Sequence, residues 1–213
     1  MSARRRTARD RRRRQLGQNF LEAATADRLV DQAIFRAGEL VVEIGAGSGA
    51  ITMALARRGV RILAIEPDPE WARRLRERIT YQLLRVVEGD FLAAVLPAEP
   101  FRVFGSLPFG RTTDMLRRLL DDPGTQLWRA DVIVQWEVAC KRAAVPPSTL
   151  LSASWAPWWD IRLGPHIPAQ KFRPVPPVDA GLLTILRRSP ALLPPTMARS
   201  YAQFVRQNWP FEA

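Results

Sequence analysis

Apolar positions in this chain gather in short runs that end at glycine, proline or acidic residues, with amphipathic stretches between them. Runs of about four to eight apolar residues bounded by turn signals read as buried strands, and apolar positions three and four apart read as helices. On that basis strands are predicted at 40–44, 60–65, 84–88, 101–105, 130–136, 149–155 and 180–186. Helical spacing covers 24–35, 50–58, 70–79, 112–120 and 137–142, and a last helix is predicted within 196–209. Strands alternating with helices in this way indicate an α/β domain.

The most informative stretch is Leu40-Val41-Val42-Glu43-Ile44-Gly45-Ala46-Gly47-Ser48-Gly49. It reads as a strand, a turn with glycine at alternate positions, and then the helix from Ala50. Glycine at such spacing marks a turn where the backbone comes close to something that a Cβ would block. In open α/β sheets, ligands bind where strands end in such turns. The turn alone does not name a ligand: a tight turn with none and a dinucleotide site both remain open.

Composition narrows the class. At 213 residues with 47% hydrophobic content, the chain can build one full domain plus an appendage. A single cysteine, Cys140, excludes a disulfide framework and suits a reducing compartment such as the cytoplasm. No apolar stretch is long enough to span a membrane, and no apolar segment follows the N-terminal charge, so no secretory signal is expected.

Charge points to the partner. The net charge is +11, and lysine occurs only at Lys141 and Lys171, so the positive charge is almost all arginine. Arginine pairs bidentately with phosphate and stacks on bases, which favours a nucleic-acid partner. Residues 1–14 hold eight arginines, Arg11, Arg12, Arg13 and Arg14 among them, and one aspartate. A basic arm that tracks a phosphate backbone is expected there.

Acids at successive strand ends narrow the ligand. Glu66 lies 21 residues after Gly45, the distance at which a βαβ unit returns an acid to a ribose. Asp90 closes the third strand, so Glu43, Glu66 and Asp90 are expected to crowd one cleft. Such a field repels pyrophosphate and suits a ligand with ammonium, sulfonium and ribose hydroxyls, as in S-adenosylmethionine. The fourth strand ends in Ser106-Leu107-Pro108-Phe109-Gly110, where proline stiffens an exposed turn and the aromatic can stack a base.

Gln18-Asn19-Phe20-Leu21, the Glu43–Gly49 turn, Glu66, Gly89-Asp90-Phe91, Ser106-Leu107-Pro108-Phe109 and Phe172-Arg173-Pro174-Val175-Pro176-Pro177-Val178-Asp179 stand in the order and spacing of one family. Over about residues 15–190 the chain resembles the rRNA adenine N6-methyltransferases, which comprise the Erm macrolide-resistance enzymes and housekeeping relatives of the KsgA type. The resemblance implies a Rossmann-like class I methyltransferase fold with a seven-stranded, mostly parallel sheet and an antiparallel hairpin at one edge. It implies S-adenosylmethionine as cofactor. Asn19 and Leu21 would lie over its methionine end, Gly45 and Gly47 against its carboxylate and sulfur, Glu66 at the ribose and Asp90 at the adenine. Ser106 and the carbonyl of Leu107 would face the target amine, with Pro108 fixing that turn. Phe109 and Phe172 would sandwich the target base, and Lys171 and Arg173 would hold phosphates beside it.

The implied reaction is methylation of N6 of an adenine in the peptidyl-transferase loop of 23S rRNA, giving macrolide, lincosamide and streptogramin B resistance. The alternative is a KsgA-type dimethyltransferase of small-subunit rRNA. A third reading is a non-catalytic RNA-binding relative, which predicts lost cofactor acids, whereas Glu43, Glu66 and Asp90 are all present. Two departures stand out. The family most often has asparagine at the Ser106 position, and serine is a shorter and weaker acceptor. After the catalytic domain, 15–189, residues 190–213 leave room for a short remnant of the family's helical C-terminal lobe.

The remaining chemistry is sparse. His166 is the single histidine, so neither a Cys/His metal site nor a histidine-based triad can be built, and a loop position is expected for it. Cys140 is expected to pack. Trp155, Trp158 and Trp159 read as core and edge packing ahead of an RNA-stacking surface. A monomer without metal or membrane attachment is expected.

Overall fold

The computed structural model describes residues 19–209. The basic arm expected at 1–14, with Arg11 to Arg14, lies outside the described residues. Nine strands are present among them: β1 (Phe20–Leu21), β2 (Leu40–Ile44), β3 (Arg61–Glu66), β4 (Leu84–Glu88), β5 (Phe101–Ser106), β6 (Leu127–Gln135), β7 (Trp159–Ile167), β8 (Phe172–Arg173) and β9 (Ala180–Arg187). The helices are α1 (Ala23–Gln32), α2 (Ala50–Ala56), α3 (Pro69–Arg78), α4 (Thr112–Leu120), α5 (Trp136–Ala143), α6 (Leu150–Trp155) and α7 (Ala198–Asn208).

Seven strands form one sheet in the order β4-β3-β2-β5-β6-β9-β7. The first five pair in parallel, and β9 runs antiparallel to both β6 and β7. This is the expected seven-stranded, mostly parallel Rossmann-like sheet with its antiparallel hairpin at one edge. Strand side chains alternate between the two faces. Val41 packs on the α1 and α2 side with Leu29, Ile51 and Leu55. Val42 packs on the other side with Met115 and Leu116 of α4. A sheet covered on both faces needs apolar residues at every position, which is why its inner strands read as unbroken apolar runs.

One strand assignment is corrected. Residues 149–155 are not a strand: Leu150–Trp155 is helix α6, started by Thr149, whose hydroxyl accepts from the Ser152 N–H at 3.2 Å. The seventh strand is β7, which contains Asp160, Arg162, Gly164, Pro165 and His166. It lies at the sheet edge with β9 as its one partner, and its register shifts between Leu163 and His166. An edge strand tolerates polar residues and proline because one side of it is not paired. His166 is therefore in a strand and not in a loop.

Trp155, Trp158 and Trp159 are buried core residues. Each indole N–H is satisfied, by Asp121 Oδ1 at 2.7 Å, the Leu193 carbonyl at 2.8 Å and the Leu120 carbonyl at 3.1 Å. Burial removes them from any RNA-stacking surface. Tyr201 of α7 packs edge-on against Trp158, with ring centroids 5.8 Å apart.

At the end of the sheet away from the glycine turn, Arg102 and Asp131 are fully buried. Asp131 Oδ2 accepts from Arg102 Nε at 2.9 Å, Arg102 Nη2 at 2.6 Å and Arg129 Nε at 2.7 Å. Its Oδ1 accepts from the Thr184 hydroxyl at 2.9 Å. The Arg102 guanidinium lies over the Phe35 ring, 4.0 Å from its centroid. A buried charge persists only when paired and hydrogen-bonded in this way. No helix among the described residues is long and apolar enough to cross a membrane.

Candidate active site

Parallel strands bring their C-terminal ends to one edge of the sheet, so the turns after β2, β3, β4 and β5 meet there. The glycine turn leads from β2 into α2. Gly45, Gly47 and Gly49 all have positive φ, of 69°, 50° and 85°. At Gly47 the constraint is also steric: a Cβ would sit 2.8 Å from the Phe20 ring. Phe20 in turn packs on Trp71 of α3, with centroids 4.7 Å apart. The short strand β1 thus lies over the glycine turn as a strap.

Glu66 ends β3 in the pocket wall and is buried. Its Oε2 accepts from the Gly47 N–H at 2.8 Å and its Oε1 from the Asp68 N–H at 2.9 Å. Burial raises its pKa, and these two backbone donors partly offset that rise. Pro67 ends the strand, Asp68 caps α3 by accepting from the Glu70 N–H at 3.0 Å, and Pro69 occupies the first helical turn. The Glu-Pro-Asp-Pro sequence therefore fixes the acid at a strand end and restarts the chain as helix at once.

β5 ends at Ser106. Leu107 is buried, and its N–H donates to the Ile133 carbonyl at 2.9 Å. The Pro108 carbonyl accepts from the Arg111 N–H at 2.9 Å and the Thr112 hydroxyl at 3.2 Å, which closes a tight turn behind Phe109. Gly45 comes close to this loop: a Cβ on it would lie 3.5 Å from the Ser106 carbonyl oxygen.

One pocket gathers most of the expected residues. Asn19 and Leu21 of the strap, Gly45 and Gly47 of the turn, and Glu66 line it on one side. Ser106, Leu107, Pro108, Phe109 and Phe172 line it on the other. Phe109 is half-buried, whereas Phe172 is wholly covered and belongs to the core cluster of Leu21, Ile133 and Ile167. Lys171 pairs with Glu22 at 3.2 Å, and Arg173 is exposed and donates to the Gln170 carbonyl at 2.6 Å. Sequence reasoning placed neither Phe20, Ile51 nor Pro67 at the ligand, although all three line the pocket, and gave no role to Trp71, whose only signal is an aromatic in a charged helix.

The three acids do not crowd one cleft as expected. Only Glu66 is in the pocket wall. Glu43 shares the face of β2 with Val41 and is enclosed with Thr52 of α2. Neither of its oxygens makes a well-formed hydrogen bond, and Thr52 is the donor group beside them. Burial pushes its pKa up to about 8, an effect that Thr52 opposes and the nearby Glu66 reinforces. Asp90 stands outside the pocket lining, at the N-terminus of a short turn. Its Oδ1 accepts from the Leu92 N–H at 3.0 Å and its Oδ2 from Arg111 Nη1 at 2.8 Å.

This arrangement fits S-adenosylmethionine. A carboxylate offers about four acceptor positions; Glu66 uses two on backbone amides, and a ribose diol supplies two more donors. The turn at Gly45–Gly47 carries only the methyl group of Ala46 as a side chain, so its backbone is open to the pocket. Among the described residues, no group of three or more His, Cys, Asp or Glu side chains could hold a metal ion.

Known proteins share both sequence and fold with the chain. It is 37% identical over 194 residues to an rRNA adenine N-6-methyltransferase of Corynebacterium diphtheriae, covering 91% of this chain and 76% of that protein. It is 40% identical to the mycinamicin-resistance protein MyrB of Micromonospora griseorubida, covering 92% and 62%. It is 41% identical to an rRNA methyltransferase of Streptomyces thermotolerans, covering 94% and 67%. The chain thus spans 62% to 76% of the length of these relatives. Among solved structures, the 23S rRNA methyltransferase ErmE superposes with a TM-score of 0.78 at 30% identity, covering 88% of this chain and 78% of that one. A dimethyladenosine transferase from Plasmodium falciparum shares the fold, with a TM-score of 0.77 at 19% identity. Residues 9–209 match the ribosomal RNA adenine dimethylase family as a whole, so the glycine turn, Glu66 and the Ser106–Phe109 loop fall within one continuous match: the chain belongs to that family.

Proposed function

We propose that the chain is an Erm-type methyltransferase that moves a methyl group from S-adenosylmethionine to N6 of an adenine in the peptidyl-transferase loop of 23S rRNA. The product would block macrolide, lincosamide and streptogramin B antibiotics. The observation that carries the reading is the convergence of Glu66, the glycine turn and the Ser106–Phe109 loop on one pocket. The names of the Erm-type relatives favour the large-subunit substrate over the KsgA-type alternative.

The cofactor supplies an electrophilic methyl group on a sulfonium. In this reading Asn19 and Leu21 hold its methionine end, Glu66 its ribose hydroxyls and Asp90 its adenine. The exocyclic amine of adenine is a weak nucleophile because its lone pair is delocalised into the ring. The Ser106 hydroxyl and the Leu107 carbonyl would accept hydrogen bonds from its two N–H groups, which favours a pyramidal nitrogen and frees the lone pair. Pro108 fixes the direction of that carbonyl, and Phe109 and Phe172 stack the base. The site's main contribution is orientation for in-line attack. No strong base is needed, since the proton leaves after methyl transfer.

The target adenine must leave its stack to reach the pocket, so a looped or single-stranded site is expected. Because Phe172 is covered, a base reaches it only after Phe109 or the strap yields. Lys171, Arg173 and the arginines at 11–14 would hold the RNA backbone, making binding salt-dependent. We place the enzyme in the cytoplasm, where ribosomes are, as a monomer.

The test is methylation of protein-free 23S and 16S rRNA with methyl-labelled S-adenosylmethionine, followed by mapping of the base. Label on an adenine of the 23S peptidyl-transferase loop is expected. Label on 16S rRNA alone supports the KsgA-type reading. No label on either, with the cofactor bound, supports a non-catalytic relative.

A further inference from the structure

Arg111 is the residue of the acceptor loop that the proposed reaction leaves unused. It closes the turn that begins at Pro108, and its own N–H donates to the Pro108 carbonyl at 2.9 Å. The backbone under the guanidinium is thereby fixed two residues after Phe109. From there Nη1 donates to Asp90 Oδ2 at 2.8 Å, an ion pair between the loops after β5 and β4.

Asp90 needs such a partner. Its side chain is 41% exposed, and an exposed aspartate samples several rotamers unless it is held. The Leu92 N–H fixes one oxygen and Arg111 fixes the other. Charge-assisted bonds of this kind are short and directional. Two acceptor positions of the carboxylate remain for another donor. Partial burial would raise the pKa of Asp90, but the bonds from Leu92 and Arg111 outweigh it and keep the group ionised and accepting.

We propose that Arg111 is a positioning residue for the cofactor's adenine: it holds the Asp90 carboxylate in the orientation that accepts from the 6-amino group. This rests on the assignment of adenine to Asp90 made above. An exposed pair contributes little to folding, on the order of 0–1 kcal/mol, so its value lies in geometry. The same pair ties the adenine end of the cofactor site to the loop that presents Ser106 and Phe109.

The test is calorimetric binding of S-adenosylhomocysteine and of its purine analogue, which lacks the 6-amino group, to the wild type, Arg111→Ala and Arg111→Lys. Arg111→Ala is expected to weaken S-adenosylhomocysteine about three- to tenfold and leave the purine analogue unchanged, since the orientation of one hydrogen bond, and not the whole bond, is at stake. Arg111→Lys should recover part of the loss, and added salt should shrink the difference between wild type and Arg111→Ala. Equal weakening of both ligands, or of neither, would overturn the proposal. Asp90→Ala tests the underlying assignment separately, since it removes the acceptor. If Asp90→Ala binds S-adenosylhomocysteine as tightly as wild type, adenine does not sit at Asp90. If Asp90→Ala weakens binding and Arg111→Ala does not, only the role of Arg111 fails.

Discussion

Leu21 lies directly opposite Phe172 in the two-residue antiparallel ladder of β1 and β8. The strap over the glycine turn and the aromatic expected at the target base are therefore one piece of structure. The ladder is extended by the Glu22 N–H, which donates to the Lys171 carbonyl at 2.8 Å, and by the Lys171–Glu22 ion pair. Whatever orders the strap also sets the position of Phe172.

This pairing predicts coupling between the cofactor and acceptor sides. Leu21→Ala and Phe172→Leu should each raise the cofactor Kd and lower kcat/KM. Residues in contact show interaction energies of about 0.5–3 kcal/mol in double-mutant cycles. A cycle on cofactor Kd should fall in that range, and strict additivity would show that the two act independently.

The Arg102–Asp131 pair predicts a loss of stability without a change in chemistry. Asp131→Ala strands a buried guanidinium, and breaking a buried pair from one side costs about 3–5 kcal/mol. Thermal unfolding should shift down by many degrees. The double replacement Arg102→Met with Asp131→Leu should recover part of the loss, because the buried guanidinium and carboxylate go together, while the covered Glu39, 3.9 Å from Arg102, and Arg129 each lose a partner. Arg102 stands four positions before Ser106 on β5, about 13 Å along a strand, so kcat well below the melting temperature should be unchanged.

Glu43 predicts an unusual pH profile. Its folded pKa of about 8 lies above the ordinary value of 4.5, so between these values the folded state binds more protons than the unfolded state. Stability then falls as pH rises through that window and levels off above about pH 8. Urea unfolding between pH 5 and pH 8.5 should show this decline, and Glu43→Gln, which cannot ionise, should flatten it. A wild-type profile as flat as that of the variant would contradict the assignment.

The strand 40–44 and the helix 112–120 coincide with β2 and α4, because burial on both sheet faces and helical spacing leave strong signals. The strand 84–88 coincides with the other edge strand, β4, which is partly covered but still carries the apolar Leu84, Val86 and Val87. The failure at 149–155 has a local cause. Leu150, Leu151 and Trp155 make an apolar run, but Thr149 is a helix cap and the run is one and a half turns of α6. β7 escaped notice because an edge strand does not need an apolar pattern. At the site, Glu66 was legible from its distance to Gly45, which topology fixes. The seclusion of Glu43 was not, since strand alternation turns it away from the ligand edge. Nor was Arg111, since nothing local marks a guanidinium that reaches another loop.

The edge strand β7 has a consequence for the molecule in crowded solution. An open strand edge is a template on which another chain can add a strand and begin aggregation. In β7, Pro165 carries no backbone N–H, and the register break between Leu163 and His166 in which it stands spoils the regular spacing a newcomer would need. The feature that hid this strand from the apolar pattern also makes it a poor template for self-assembly.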